Sequence, residues 1–259
     1  MNERELISYL KNRFEKPTNL VSSWMEEDCE VLEIGDPERY LLVSVDTSSE
    51  KADFPSYTPP FEIGYFSAAL SLSDIAACGG EPVGVQVSCS IPPGFGEKIY
   101  DVYEGIRQAV SDAGTSILGG DTNAAGEFSL SIVSLGQVKR DNLLVRKGAK
   151  SGDLMGVTGI LDRFNYGYFQ YTKSENCDFE SMLRQAPQIR AGFLLGELGC
   201  VTSCIDLPDG LIKTLEDNVP FGLGFLIDDK SIPIGCFGEE SGSEVSPNYV
   251  HASNPAGDL

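Results

Sequence analysis

Apolar residues recur first at Leu6, Ile7, Leu10 and Phe14, the spacing of one helix face, and Pro17 closes that opening helix. Residues 29–34 and 40–45 are apolar or alternating around Gly35-Asp36-Pro37, which predicts a hairpin. After the loop carrying Pro55, Pro59 and Pro60, the Ala- and Leu-rich stretch 61–77 predicts a helix ending at Gly79-Gly80. A strand over 83–91 stops at Pro92-Pro93. A helix over 100–113 follows, then a short strand at 116–118, a Gly119-Gly120 turn and a long alternating strand over 128–138.

The polar run 139–153, centred on Arg146-Lys147-Gly148-Ala149-Lys150, is the candidate domain boundary, giving units at 1–140 and 151–259. The second unit should hold strands at 154–158 and 200–206 and helices near 164–171, near 191–198 and from Asp209. Beyond Asp228 the pattern is weak and turn-rich. Hairpins and helices without regular βαβ repetition favour an α+β fold.

Composition narrows the picture. The chain has 259 residues, 41% of them hydrophobic, with 28 Gly and 14 Pro, enough for a packed core without disulfide staples. Thirty-nine acidic against nineteen basic side chains give a formal charge of −20, which argues against nucleic acid or an anionic membrane as partner. Bound divalent cations or a saline habitat would each fit that charge. No apolar run is long enough to span a bilayer, and Met1-Asn2-Glu3-Arg4-Glu5 is unlike a signal peptide, so a soluble cytoplasmic protein is expected. The seven cysteines are scattered. Cys78 and Cys89 read as buried thiols, and Cys200 and Cys204 share a strand face, with packing favoured over zinc because the only histidine, His251, is distant.

The candidate chemistry lies in aspartates set among small residues at the ends of apolar runs: Asp46, Asp74, Asp121, Asp206 and Asp209. Converging carboxylates repel one another, and a hard cation such as Mg²⁺ prefers oxygen ligands. Singly, Asp74 could be a surface helix residue, Asp121 a turn former and Asp209 a helix cap. The GxxxxGK[ST] and GxGxxG phosphate loops are absent, and one histidine cannot build a Ser-His-Asp triad. Metal-assisted phosphoryl transfer of another design remains.

Leu72-Ser73-Asp74-Ile75-Ala76-Ala77-Cys78-Gly79, Gly119-Gly120-Asp121-Thr122 and Asp206-Leu207-Pro208-Asp209-Gly210-Leu211 resemble the signature blocks of the thiamine-monophosphate kinase family. That family belongs to the superfamily of aminoimidazole ribonucleotide synthetase, selenophosphate synthetase and the hydrogenase maturation factor HypE. Residues 145–153 resemble the family's R-x-G-A-x-x-G-D linker and residues 184–190 its R-P-x-P-R segment. The resemblance runs in order from about residue 27 to residue 217.

The resemblance implies a PurM-like, two-domain α+β subunit that forms a homodimer through its N-terminal domain, with a C-terminal α/β domain that ends short here. ATP would lie in a cleft lined by the acidic blocks and pass its γ-phosphate to thiamine monophosphate. It also implies that Asp28, Asp46, Asp74, Asp121 and Asp206 hold Mg²⁺ with Ser44 beside them. Tyr103, Gly120, Asp121 and Arg146 would contact ATP, although Tyr103 equally suits core packing. Asp53 would face the acceptor, and Asp209 would sit on the acceptor side as the catalytic residue.

The departures fall at Glu27-Asp28, where the family pairs aspartates, at Asp53, where it carries histidine, and at Pro208, where it carries serine. Ile160-Leu161-Asp162-Arg163 also replaces a Gly-rich turn, and Ala256-Gly257-Asp258-Leu259 looks like the start of the family's G-G-x-D-Y-E-L block. A fragment is expected, or else a short paralogue. Asp53 and Pro208 keep open a different acceptor, in the manner of HypE or selenophosphate synthetase, and a non-catalytic nucleotide-binding paralogue.

Overall fold

A computed structural model describes residues 3–173, 177–220 and 222–235. His251 and the terminal residues 256–259 lie outside them. The described elements run in chain order as α1 (Glu3–Arg13), β1 (Glu30–Leu32), β2 (Arg39–Ser49), α2 (Glu50–Asp53), α3 (Pro60–Ala77), β3 (Glu81–Ile91) and α4 (Lys98–Asp112). They continue with β4 (Ile117–Ala124), β5 (Ser129–Lys139), α5 (Arg163–Thr172), α6 (Phe179–Leu183), α7 (Ile189–Leu198) and α8 (Leu211–Asn218). Short 3₁₀ turns occupy Arg140–Asn142 and Asp229–Ser231.

The five strands form one sheet in the order β1-β2-β5-β3-β4, antiparallel throughout except for the β3/β4 pair. Side chains alternate between its faces. Leu130, Ile132, Ser134 and Val138 of β5 and Val85, Val87 and Cys89 of β3 are buried beneath α3 and α4. The opposite face is open and carries Val45, which is 62% exposed.

Helix α3 is the central element. Pro60 opens it with a φ already suited to a helix. It closes in a Schellman motif, with the Gly80 N–H donating to the Ile75 carbonyl and the Gly79 N–H to the Ala76 carbonyl, both at 2.9 Å, and with Gly79 at φ +73°. Covered by the sheet, α4, α6 and α7, α3 is buried on nearly every side, which suits its small residues. A Cβ on Gly64 would lie 1.9 Å from the Val102 carbonyl oxygen, and one on Gly105 would lie 2.0 Å from that of Phe61. Two glycines thus set the closeness of the α3–α4 crossing. The buried Ser71 and Ser134 hydroxyls are both satisfied: Ser71 Oγ donates to the Ile132 carbonyl at 3.1 Å, and Ser134 Oγ donates to the Ser71 carbonyl at 2.8 Å.

The C-terminal half is tied to this core by Arg184, which lies over the Phe61 ring and grips the buried Glu62 carboxylate with both Nε and Nη2. Gly192 of α7 packs against the Ala76 carbonyl of α3.

Four expectations need correction. Gly119-Gly120 is not a turn but lies within β4, paired with Gln86 and Val87. A Cβ on Gly120 would stand 1.9 Å from the Val87 carbonyl oxygen, so the glycine serves close strand approach rather than chain reversal. Residues 154–158 and 200–206 are irregular rather than strands. Their β-like composition finds no ladder partner among the described residues, and Leu154 is left 99% exposed. Cys200 and Cys204 therefore share no strand face; Cys200 is exposed and Cys204 half-buried. Asp46, expected at the end of an apolar run, sits inside β2 because that strand runs on to Ser49.

Candidate metal and phosphate site

Each carboxylate is brought to the site by a different element. Asp28 lies in the turn before β1, Asp46 points from β2 toward α3, Asp74 sits in the last turn of α3, and Asp206 lies in the irregular segment before Pro208. Carboxylate oxygens of Asp28, Asp74 and Asp206 come within 4.8 Å of one another. Among the described residues this is the only group of three or more His, Cys, Asp or Glu side chains placed to share an ion. Ser44, two residues before Asp46 on the same strand face, donates its hydroxyl to Asp74 Oδ2.

The electrostatics are adverse without a cation. Burial, and then the charges of Asp46 and Asp206, hold the Asp74 carboxyl well above its usual range. Its place in the last turn of α3, near the negative end of the helix dipole, works in the same direction. Burial and then Asp28 push Asp206 up to about 7. Burial raises Asp46, and burial raises Asp28 against the pull of Arg146. Among the described residues one cation faces the group: Arg146 Nε donates to Asp28 Oδ1 at 2.7 Å, and Nη2 contacts the same oxygen.

Two buried oxygens, Asp46 Oδ2 and Asp206 Oδ1, have no hydrogen-bond partner. Orphaned carboxylate oxygens in an all-oxygen donor set fit a hard divalent cation such as Mg²⁺.

Other sequence candidates lie apart. Asp121 is exposed, accepts a hydrogen bond from Asn123 Nδ2 at 2.8 Å and pairs in register with Ser88. Register carried across β3, β5 and β2 groups it with Thr47 on the open face, whereas Asp46 faces the helices. Within one chain the sheet separates Asp121 from the trio. Gly120 and Asp121 line a shallow depression on that side with Gln86, Ser88 and Val133. Tyr103 packs half-buried against the hydrophobic core.

Asp53 Oδ2 accepts the Ser49 N–H at 2.6 Å, tying down the start of α2. Asp209 is exposed, and Gly210, at φ +85°, occupies the cap position of α8. Glu27, read from the sequence only as the first of the acidic pair where the family carries aspartates, accepts the Arg146 N–H with its Oε2 at 2.7 Å. A glutamate directly before a metal-site aspartate was the available signal.

Residues 26–138 match the family described as AIR synthase related protein, N-terminal domain. The chain is 30% identical over 224 residues to the thiamine-monophosphate kinase of Buchnera aphidicola subsp. Schizaphis graminum, covering 83% of this chain and 68% of that one. It is 30% identical over 242 residues to that of Pyrococcus abyssi, covering 90% and 73%. A relative in Methanospirillum hungatei, also a thiamine-monophosphate kinase, is 29% identical, and the chain spans 65% of its length.

Among solved structures, AaThiL complexed with AMPPCP and TMP superimposes with a TM-score of 0.81 at 19% identity, over 98% of this chain and 83% of that one. Thiamine-monophosphate kinase from Stenotrophomonas maltophilia gives 0.73 at 24% identity, over 99% and 83%. The structural matches establish the PurM-like α+β fold, shared also with the HypE–HypF complex at a TM-score of 0.64. The sequence relationships go further: the chain belongs to the thiamine-monophosphate kinase family.

Proposed function

We propose that the protein is an ATP- and Mg²⁺-dependent phosphotransferase that converts thiamine monophosphate to thiamine diphosphate. One observation carries the reading: in a member of this family, Asp28, Asp74 and Asp206 converge within 4.8 Å from three separate segments, and Asp206 Oδ1 and the neighbouring Asp46 Oδ2 are buried without a partner. Asp28, Asp74 and Asp206, with Asp46 and Ser44 beside them, are the residues that would hold Mg²⁺, which supplies charge neutralisation of the transferring phosphoryl group. Arg146 braces the nucleotide phosphates with its planar fork of donors. Asp209, on the turn before α8, belongs to the acceptor side.

The open sheet face, with the exposed Val45 beside Val133 and Leu135, is assigned to a second copy in a homodimer. Gly120, Asp121 and Tyr103 keep their nucleotide roles as proposals, with Gly120 and Asp121 exercising theirs across that interface. The division at 140–150 into an N-terminal ATP-binding domain and a C-terminal domain, and a cytoplasmic location, complete the reading. Among the described residues no helix is long and apolar enough to cross a membrane.

The test is to supply the full chain with ATP, Mg²⁺ and thiamine monophosphate and to measure thiamine diphosphate, with Asp74→Asn as control. Formation abolished in the variant, with its circular dichroism unchanged, is the outcome expected. Normal turnover by the variant would refute the metal assignment. A second reading, a different phosphate acceptor, is favoured by Asp53, an acid where the family carries histidine. ATP consumption with another acceptor and none with thiamine monophosphate would establish it.

A further inference from the structure

Arg146 is held in two different ways. Its main chain is fixed by groups outside the carboxylate trio: Glu27 Oε2 accepts its N–H at 2.7 Å, and its carbonyl accepts from Ser203 Oγ at 2.5 Å. On either side, the Val145 carbonyl accepts the Cys204 N–H at 3.0 Å, and Gly148 lies so close to Thr202 that a Cβ would stand 1.8 Å from its carbonyl oxygen. Its side chain, by contrast, is bonded to a trio member, Asp28, whose own side chain is 2% exposed. The Arg146 side chain keeps 29% of its surface open, and its long stem lets the charged head pivot.

We propose that Arg146 is an exchangeable counter-ion. Its guanidinium neutralises Asp28 while the trio lacks a metal and turns outward to the nucleotide phosphate once a divalent cation enters. Throughout, Glu27 acts as a positioning residue that holds the Arg146 main chain at the site. The proposal rests on the reading of the trio as a divalent-cation site. Its physical basis is competition: two cations served by the same Asp28 carboxylate repel each other, so each weakens the binding of the other by the same factor. Such an exchange would spare the unloaded site part of its carboxylate repulsion and deliver a phosphate-binding group when metal and nucleotide arrive together.

Competition predicts a sign that other roles do not. Mn²⁺ binding to the full chain, read from the free-ion electron paramagnetic resonance signal without nucleotide, should tighten on the order of tenfold in Arg146→Gln. Binding of ADP with Mn²⁺ should weaken in the same variant. Arg146→Lys, which keeps the charge, should retain wild-type Mn²⁺ affinity. Glu27→Ala should weaken ADP binding, and Glu27→Gln, whose amide oxygen still accepts the Arg146 N–H, should restore it.

Unchanged Mn²⁺ affinity in Arg146→Gln would mean a nucleotide contact only, and weakened affinity a structural prop; either result overturns the exchange. If the wild type binds no Mn²⁺, or Asp74→Asn binds it normally, the metal reading falls and this proposal falls with it. A Mn²⁺ site lost in Asp74→Asn but indifferent to Arg146→Gln overturns the exchange alone.

Discussion

Replacing Asp206 by asparagine should stabilise the metal-free protein at neutral pH while removing its response to Mg²⁺. Burial and Asp28 raise this carboxyl to about 7 from its usual 3.8. At pH 8 the folded protein therefore carries the ionised form at a cost on the order of 4 kcal/mol. Part of that cost is repulsion shared with Asp28, and asparagine must still bury an amide, so the net gain should be about 1–3 kcal/mol. For a chain of this size that is roughly 3–8 °C in melting temperature.

The pH window follows from linkage. Below about pH 4 the carboxyl is protonated in both states and the penalty vanishes. Between there and about pH 7 the folded state binds more protons than the unfolded, so wild-type stability falls as pH rises, and above about 7 the full penalty applies. Thermal unfolding with a chelator present should thus separate Asp206→Asn from wild type at pH 8 and bring them together near pH 4. Mg²⁺ should stabilise the wild type and not the variant, reversing the order. A metal-free variant no more stable than wild type at pH 8 would refute the claim that Asp206 is ionised there against its surroundings.

Gly105→Ala places a methyl 2.0 Å from the Phe61 carbonyl oxygen and must push α3 and α4 apart. Urea unfolding followed by circular dichroism should show a loss of about 2–3 kcal/mol. Arg184→Met strands the buried Glu62 carboxylate; because Arg184 is itself one-third exposed, the expected loss is about 2 kcal/mol, and Glu62→Gln in the same chain should recover part of it. Asp53→Asn keeps an acceptor for the Ser49 N–H, so the melting temperature should hold within about 1 °C. If Asp53 faces the anionic acceptor, the KM for thiamine monophosphate should fall several-fold, and an unchanged KM would place Asp53 outside the acceptor site.

Much of this molecule is legible in its chain because the relevant signals are local. The proline opening and glycine closing of α3, the strict alternation of β5, and the apolar period of α1 each follow from the dihedral and periodic preferences of neighbouring residues. The aspartates were visible too, as acids among small residues. What adjacency could not supply was their distribution. Asp74 and Asp206 are more than a hundred residues apart, and only the docking of the 200–206 segment beside residue 145 brings them together. Asp121 has the same local character as Asp74 but falls on the other side of the sheet, because strand register decides its face. Gly119-Gly120 carries a turn signature, and the approach of β3 makes it a strand. The chain alone determined that carboxylates and a guanidinium would be available. Tertiary structure decided which of them converge, since burial and mutual charge arise only when distant segments are packed together.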